Sequence, residues 1–137
     1  MAFGAGKNGV LKLDATNGGS LTDYSAYVTN VSWSRPIELL DTTTLSKNSH
    51  TRIKGLKDAT FTIDFNADPT FIDVLESHDA GTASTSFEYD PMGTTSGQPK
   101  YTGECFLGEW SFTTSVDGVV TGSASFSCSD DVTPGAN

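Results

Sequence analysis

The stretch that decides the fold is YVTNVSWSRPIELLDTTTLSKNSHTRIKGLKDATFTIDFN, residues 27–66. Its two ends alternate between apolar and polar residues with a period of two, which is typical of half-buried β-strands. Pro36 lacks a backbone donor and marks an edge, a bulge or the end of the first strand. Residues 41–57 between the strands exceed the about two to five residues of an ordinary hairpin turn. We predict that this segment, the contact loop, binds another molecule.

The charges of the chain are divided unevenly along its length. Four of the eight Lys and Arg residues lie in the contact loop, and no acid lies between Asp41 and Asp58. Residues 1–57 hold seven Lys/Arg against four Asp/Glu, whereas residues 58–137 hold one against thirteen. This division favours head-to-tail self-association, although solubility alone also accounts for it. The protein has no overall basic face for tight binding of nucleic acid.

The rest of the chain predicts one domain, residues 1–137, of mainly β structure. Alternation predicts further strands at residues 10–14, 85–89, 100–114 and 119–128. Asp68 followed by Pro69 predicts a helix over residues 69–78. Residues 1–9 are predicted to be an extended or mobile N-terminal arm, residues 21–26 an irregular connection and residues 129–137 a loose tail. The expected fold is an antiparallel β-sandwich or flattened barrel with one short flanking helix.

The sequence offers little chemistry, and we predict that the protein is not an enzyme and binds no cofactor or metal. His50 and His78 stand in no metal spacing with Cys105 or Cys128. The two cysteines are either buried thiols or a single disulfide. His78 is expected to interact with the dipole at the helix end. No signal peptide and no apolar run of about 18 residues is found, so a soluble protein made in a cytoplasm is expected.

The aromatic residues in strand phase are predicted to lie in the core. These residues are Trp33, Phe61, Phe65, Phe106, Trp110 and Phe112. If they were exposed instead, they would suit a sugar-binding surface.

The segment VTNVSWSRPIELLDTTTLSKNSHTRIKGLKDATFTIDFNADP resembles tail tube (major tail) proteins of long-tailed bacteriophages. The resemblance rests on LDTTT, a polar loop, TRIKGLKD, and an alternating strand that leads to a short helix; it covers roughly residues 27–77. It implies a β-sandwich whose copies form hexameric rings, stacked into a tube through which double-stranded DNA passes without specific binding. It also implies a virion protein, assembled in the host bacterial cytoplasm, whose partners include tape measure, terminator and baseplate proteins.

The resemblance assigns two sets of residues. The subunit or ring interface would include Asp41, Thr42, Thr43, Lys47, Arg52, Lys54 and Lys57. Candidate lumen-facing residues are Thr62, Asp64, Glu88 and Glu104, which would give a neutral or acidic bore. The contact loop and the N-terminal nine residues are expected to order only when rings stack. The alternatives are a terminator or completion ring protein of the same fold and a sugar- or surface-binding β-sandwich module.

Overall fold

The structure is a computed structural model that describes residues 5–16 and 19–137. It is mainly β with one α-helix, as the sequence predicts. The strands are β1 Val10–Asp14, β2 Leu21–Asp23, β3 Val28–Ser34, β4 Ile37–Asp41, β5 Arg52–Lys57, β6 Thr60–Asn66, β7 Thr85–Asp90, β8 Pro99–Thr113 and β9 Thr121–Ala136; the helix α1 is Pro69–Ala80, and Gly6–Asn8 form a 3-10 turn.

Seven of these strands form one antiparallel sheet in the order β2-β1-β7-β8-β9-β6-β3. The sheet curls, because the ring of Trp33 on edge strand β3 lies 5.7 Å from that of Phe87 on β7 and 5.4 Å from that of Tyr101 on β8. A cleft of about 240 Å³ separates β1 from β3, so the curled sheet does not close. The expected flattened barrel is therefore present as one curled sheet.

The inner surface of the curl forms the core. Phe61, Ile63 and Phe65 alternate along β6 and are buried, as the sequence predicts. The ring of Phe61 stacks on that of Phe126 at a centroid distance of 4.8 Å and contacts that of Phe87 at 5.1 Å. This aromatic cluster joins β6, β7 and β9 across the interior.

The core prediction is wrong for two aromatic residues on β8. Phe106 is 46% exposed and Phe112 is 50% exposed. Phe106 lies next to the buried Cys105, so strand alternation turns its side chain to the outer surface. A register shift between Leu107 and Glu109 then places Phe112 on the same face as the core, but near the end of the strand, where little covers it.

Helix α1 covers one flank of the curl. The Asp68 carboxylate accepts a hydrogen bond from the Thr70 N–H at 2.9 Å, and Pro69 occupies the first turn. Phe71, buried on the inner side of the helix, has its ring 5.1 Å from that of Phe65. The helix ends at Ala80, two residues later than predicted, and Gly81 is its C-cap.

The structure corrects four segment predictions. Residues 129–136, predicted as a loose tail, belong to β9 and pair with the first residues of β8, because the fifteen-residue β8 needs a partner along its whole length. Residues 21–26 contain the short strand β2. Residues 6–8 form a turn, and residues 1–4 lie outside the described residues. The contact loop contains strand β5, which pairs with β4, so only residues 42–51 form the connection.

His78, predicted as a partner of the helix dipole, is a buried hydrogen-bonded residue that ties α1 to the sheet. Its Nε2 lies 2.9 Å from the backbone carbonyl oxygen of Asp14, and its Nδ1 lies 2.9 Å from Thr85 Oγ1. Because a carbonyl only accepts, Nε2 carries the proton and Nδ1 accepts from the Thr85 hydroxyl. Burial lowers the pKa of His78, although the bond to Asp14 partly opposes this.

We expect this imidazole to make the folded state less stable in mild acid. Since the pKa is depressed on folding, the unfolded chain binds the proton first, and stability falls as the pH drops through about 6.5 and below. The slope is at most about 1.4 kcal/mol per pH unit. Urea titrations of wild type and His78→Gln between pH 7.5 and 5 measure it as the difference between the two proteins. Parallel pH dependences would show that His78 does not supply the effect.

Candidate self-association surfaces

Strands β4 and β5 form a hairpin, residues 37–57, that carries the predicted interface residues. At its base the Asp58 N–H donates to the Pro36 carbonyl at 3.0 Å. All five residues of β4 are exposed, as are five of the six residues of β5. Several of these side chains are large and aliphatic: Leu39 is 59% exposed, Ile53 56% and Leu56 81%. The hairpin therefore displays apolar surface that the described part of the chain does not cover.

The strand register distributes the side chains over both faces of the β4–β5 hairpin. Leu40 opposes Ile53, so these two aliphatic side chains share one face. Leu39 opposes Lys54, and Asp41 opposes Arg52, which places these two pairs on the other face. A two-stranded hairpin alone is marginally stable in water at best. Both faces of this ribbon therefore have the character of a contact surface.

The predicted interface residues divide into two roles. Asp41, Thr42 and Thr43 build the connection. The Asp41 carboxylate accepts from the Thr43 N–H at 2.8 Å, and the Thr42 N–H donates to the Thr51 carbonyl at 2.8 Å. Hydrogen bonds from the side chain and backbone of Thr43 lower the pKa of the exposed Asp41. These three residues shape the turn and are less available to a partner.

The four cations of the β4–β5 hairpin are the residues available to a partner. They are Lys47 in the connection and Arg52, Lys54 and Lys57 on β5. Within residues 5–16 and 19–137, none of them forms an ion pair, whereas Lys12 and Lys100 both pair with Glu88. Four positive charges without an ion pair thus accompany the aliphatic side chains, and they outnumber the two acids of the hairpin, Glu38 and Asp41.

All four candidate lumen residues lie on the outer face of the seven-stranded sheet, opposite the core. Thr62 and Asp64 alternate with the buried residues of β6, and Glu88 and Glu104 do the same on β7 and β8. Many of their neighbours on this face bear hydroxyl groups: Thr60, Ser86, Thr102, Ser111, Ser123, Ser125 and Ser127. The outer face is therefore mainly a polar surface of hydroxyl groups and carboxylates, on which Phe106 is an exposed aromatic side chain.

Two lysines on this outer face were not identified from the sequence. Lys12 Nζ lies 3.2 Å from Glu88 Oε2, and Lys100 Nζ lies 4.0 Å from Glu88 Oε1. Asp90 is buried beside them and accepts from Asn137 Nδ2 at 3.1 Å. Burial, and then the neighbouring Glu88, raise the pKa of Asp90. The ion pair between Lys12 and Glu88 can be predicted only from the register of β1 and β7, which places these residues opposite each other. The sequence does not determine that register.

The two cysteines are free thiols that face each other across β8 and β9. Burial raises the pKa of Cys128 to about 11 and that of Cys105 further still. Thiols with such high pKa values hold little thiolate and are poor nucleophiles. In the described part of the chain, no three His, Cys, Asp or Glu residues are grouped so that they could hold a metal ion.

Comparison with solved structures identifies the fold. The chain matches a chain in the tail of an empty gene transfer agent particle with C6 symmetry at a TM-score of 0.80 and 16% identity, over 98% of this chain and 100% of that chain. It matches the SPP1 tail tube at 0.78 and 12% identity, over 98% and 80%. It matches a chain in the structure of the anti-feeding prophage cap, a tube-terminating cap, at 0.70 and 9% identity, over 100% and 93%. The chain therefore has the tail tube fold, which confirms the fold that the resemblance implies.

Comparison of the sequence itself gives no such match. No protein-family model matches it, and no curated protein matches it significantly. The described residues contain no helix long and apolar enough to cross a membrane.

Proposed function

We propose that this protein is a tail tube subunit, copies of which form hexameric rings that stack into a hollow tube for the passage of DNA. The observation that carries the proposal is the β4–β5 hairpin, which exposes aliphatic side chains on both faces and the cations of β5 on one face, on a body with the tail tube fold. Such a tube belongs to a virion tail, assembled in the cytoplasm of the host and joined to tape measure, terminator and baseplate proteins.

The β4–β5 hairpin supplies the driving force for assembly. Full burial of one Leu or Ile side chain contributes about 1.5–3 kcal/mol, and the hairpin exposes Leu39, Leu40, Ile53 and Leu56. Its unpaired cations meet carboxylates of another copy, because residues 58–137 contain thirteen Asp/Glu and one lysine. The apolar contacts provide affinity, and the charges select the partner surface and orient it.

The outer face of the sheet lines the bore. Hydroxyl groups and the carboxylates of Asp64 and Glu104 offer no cation to DNA phosphates. Lys12 and Lys100, the cations on this face, are paired with Glu88. A neutral or acidic bore lets DNA slide, whereas free cations would retain it. A role as conduit requires no catalytic group or cofactor.

A terminating ring of the same fold is the second candidate. The similarity to the tube-terminating cap of the anti-feeding prophage favours it, although the TM-score of 0.70 is below the 0.80 for the gene transfer agent tail. A sugar-binding module is less well supported, because Trp33, Phe61 and Phe65 pack in the core.

Electron microscopy of the purified protein at increasing concentration tests the proposal. We expect hollow tubes built from sixfold rings, and fewer tubes at high salt, because the charged contacts are screened. Single rings at every concentration would support the terminating ring. A protein that stays monomeric at high concentration and low salt would contradict both candidates.

A further inference from the structure

The connection between β8 and β9, residues 114–120, exposes apolar side chains that the described part of the chain does not cover. Val116 is fully exposed, and Val119 is 68% exposed. At the base of this β8–β9 tip, the Val120 carbonyl accepts from the Ala67 N–H at 2.7 Å, which anchors the tip to the start of the loop before α1. Phe112, half exposed, extends the apolar surface along β8.

The β8–β9 tip and the β4–β5 hairpin leave the sheet at opposite ends of β6. Thr60 at the start of β6 pairs with Ser34, directly before the β4–β5 hairpin. Asn66 at the other end pairs with Thr121, directly after the tip. Six residue steps at about 3.3 Å each separate the two ends by about 20 Å. The two exposed apolar surfaces therefore lie at opposite ends of the sheet.

The charges at these two ends are complementary. The β4–β5 hairpin carries four Lys and Arg without ion pairs. The β8–β9 tip, residues 114–120, contains one charged residue, Asp117, and no Lys or Arg. Asp117 lies at the centre of the tip, between the two exposed valines. Each end thus combines exposed apolar side chains with charged ones. The cations lie at the hairpin end, and the carboxylate of Asp117 lies at the tip.

We propose that the β8–β9 tip is the docking surface for the β4–β5 hairpin of a second copy of this chain. The inference rests on the proposed function, which does not specify the surface that the hairpin contacts. The inference names that surface. The valines of the tip pack on the aliphatic side chains of the hairpin, and Asp117 faces its cations. Because the two surfaces differ and lie at opposite ends, each copy uses both, and the contact repeats head to tail without closing.

Complementation between two variants tests this contact. The tip variant is Val116→Asp with Val119→Asp, and the hairpin variant is Arg52→Glu with Lys54→Glu. We expect each alone to lose long tubes, with a critical concentration raised more than about tenfold for the tip variant and more than about a hundredfold for the hairpin variant. When mixed, the intact hairpin of the tip variant binds the intact tip of the hairpin variant. Sedimentation and electron microscopy should then show that growth stops at pairs of rings, with one ring of each variant.

Thr94→Asp with Ser96→Asp, in another exposed loop, is the matched control and should assemble like wild type. Tubes formed by the tip variant as readily as by wild type would overturn the inference while leaving the proposed function intact. So would a mixture of the two variants that forms no pairs. A wild-type protein that never assembles would instead overturn the proposed function.

Cross-linking gives a readout that does not depend on the folding of the tip variant. Leu45→Cys in the hairpin and Val116→Cys in the tip each replace a fully exposed side chain. A mixture of the two, assembled and treated with a long flexible bis-maleimide, should give a cross-linked dimer. The native thiols react slowly because burial raises the pKa of both. A yield no higher than that for Leu45→Cys mixed with Thr94→Cys would overturn the inference.

Discussion

The double variant Arg52→Glu, Lys54→Glu is expected to stay folded and to lose tube formation. Both side chains are exposed on one face of the β4–β5 hairpin, and neither makes an ion pair in the described part of the chain. Their reversal therefore removes no ion pair from the monomer, and its cost within the hairpin is the repulsion between residue 52 and Asp41 opposite it. In the assembly they would face carboxylates of a neighbouring copy, where like charges cost several kcal/mol. A cost of about 3 kcal/mol per contact raises the critical concentration more than about a hundredfold.

The measurement is sedimentation of assembled material across a concentration series, with circular dichroism and thermal melting of the monomer as the check on folding. Lys54→Glu alone is matched with Thr94→Glu combined with Ser96→Glu, which makes the same change in net charge in an exposed loop outside the β4–β5 hairpin. We expect the first to weaken assembly and the second to leave it near wild type. Normal tubes from the double variant, or equal loss from the Thr94 and Ser96 control, would show that the cations of the hairpin do not direct assembly.

The parts of the fold that local sequence determines were predictable. β6 alternates strictly because one face is buried, and the Asp68–Pro69 pair determines the start of α1 through capping and a fixed φ angle. The second half of β9 has no such signal, because its sequence SDDVTPGA is polar and contains a proline. It is a strand because β8 extends beside it, which is a tertiary cause. Likewise, the bulge near Gly108 that separates Phe106 from Phe112 depends on how β8 and β9 pair.

The candidate surfaces were also predictable only in part. The contact loop was identified by its length and charge, but its strand β5 was missed because Gly55 and the β-bulge opposite Glu38 interrupt the alternation. Leu39 and Leu40 could have indicated the contact surface. Adjacent residues of a strand point to opposite faces, so a hairpin that contains this pair is apolar on both sides. The common outer face of Thr62, Asp64, Glu88 and Glu104 follows from alternation together with pairing, and only alternation can be read from the sequence.

Phe61→Ala is expected to cost about 3–5 kcal/mol of unfolding free energy, the largest stability loss that we predict for a single substitution. Phe61 is fully buried, and its ring contacts those of Phe87 and Phe126 as well as that of Trp33 at 5.9 Å. Truncation leaves a cavity where β6, β7 and β9 meet, and the curled sheet cannot collapse around it without moving several strands. Because small domains are stable by only about 5–15 kcal/mol, the variant should unfold at a much lower urea concentration.

The matched control is Phe106→Ala, which removes the same atoms from the half-exposed outer face of β8. It should cost about 1 kcal/mol or less, since much of that ring already contacts water. Both variants must be measured below the critical concentration for assembly, because association stabilises the folded chain by mass action and would hide the difference. If the two substitutions cost the same, the aromatic cluster around Phe61 would not be the core that holds the curled sheet together. The stability of the curled sheet, from which the β4–β5 hairpin extends, would then depend on other contacts, such as those between α1 and the sheet.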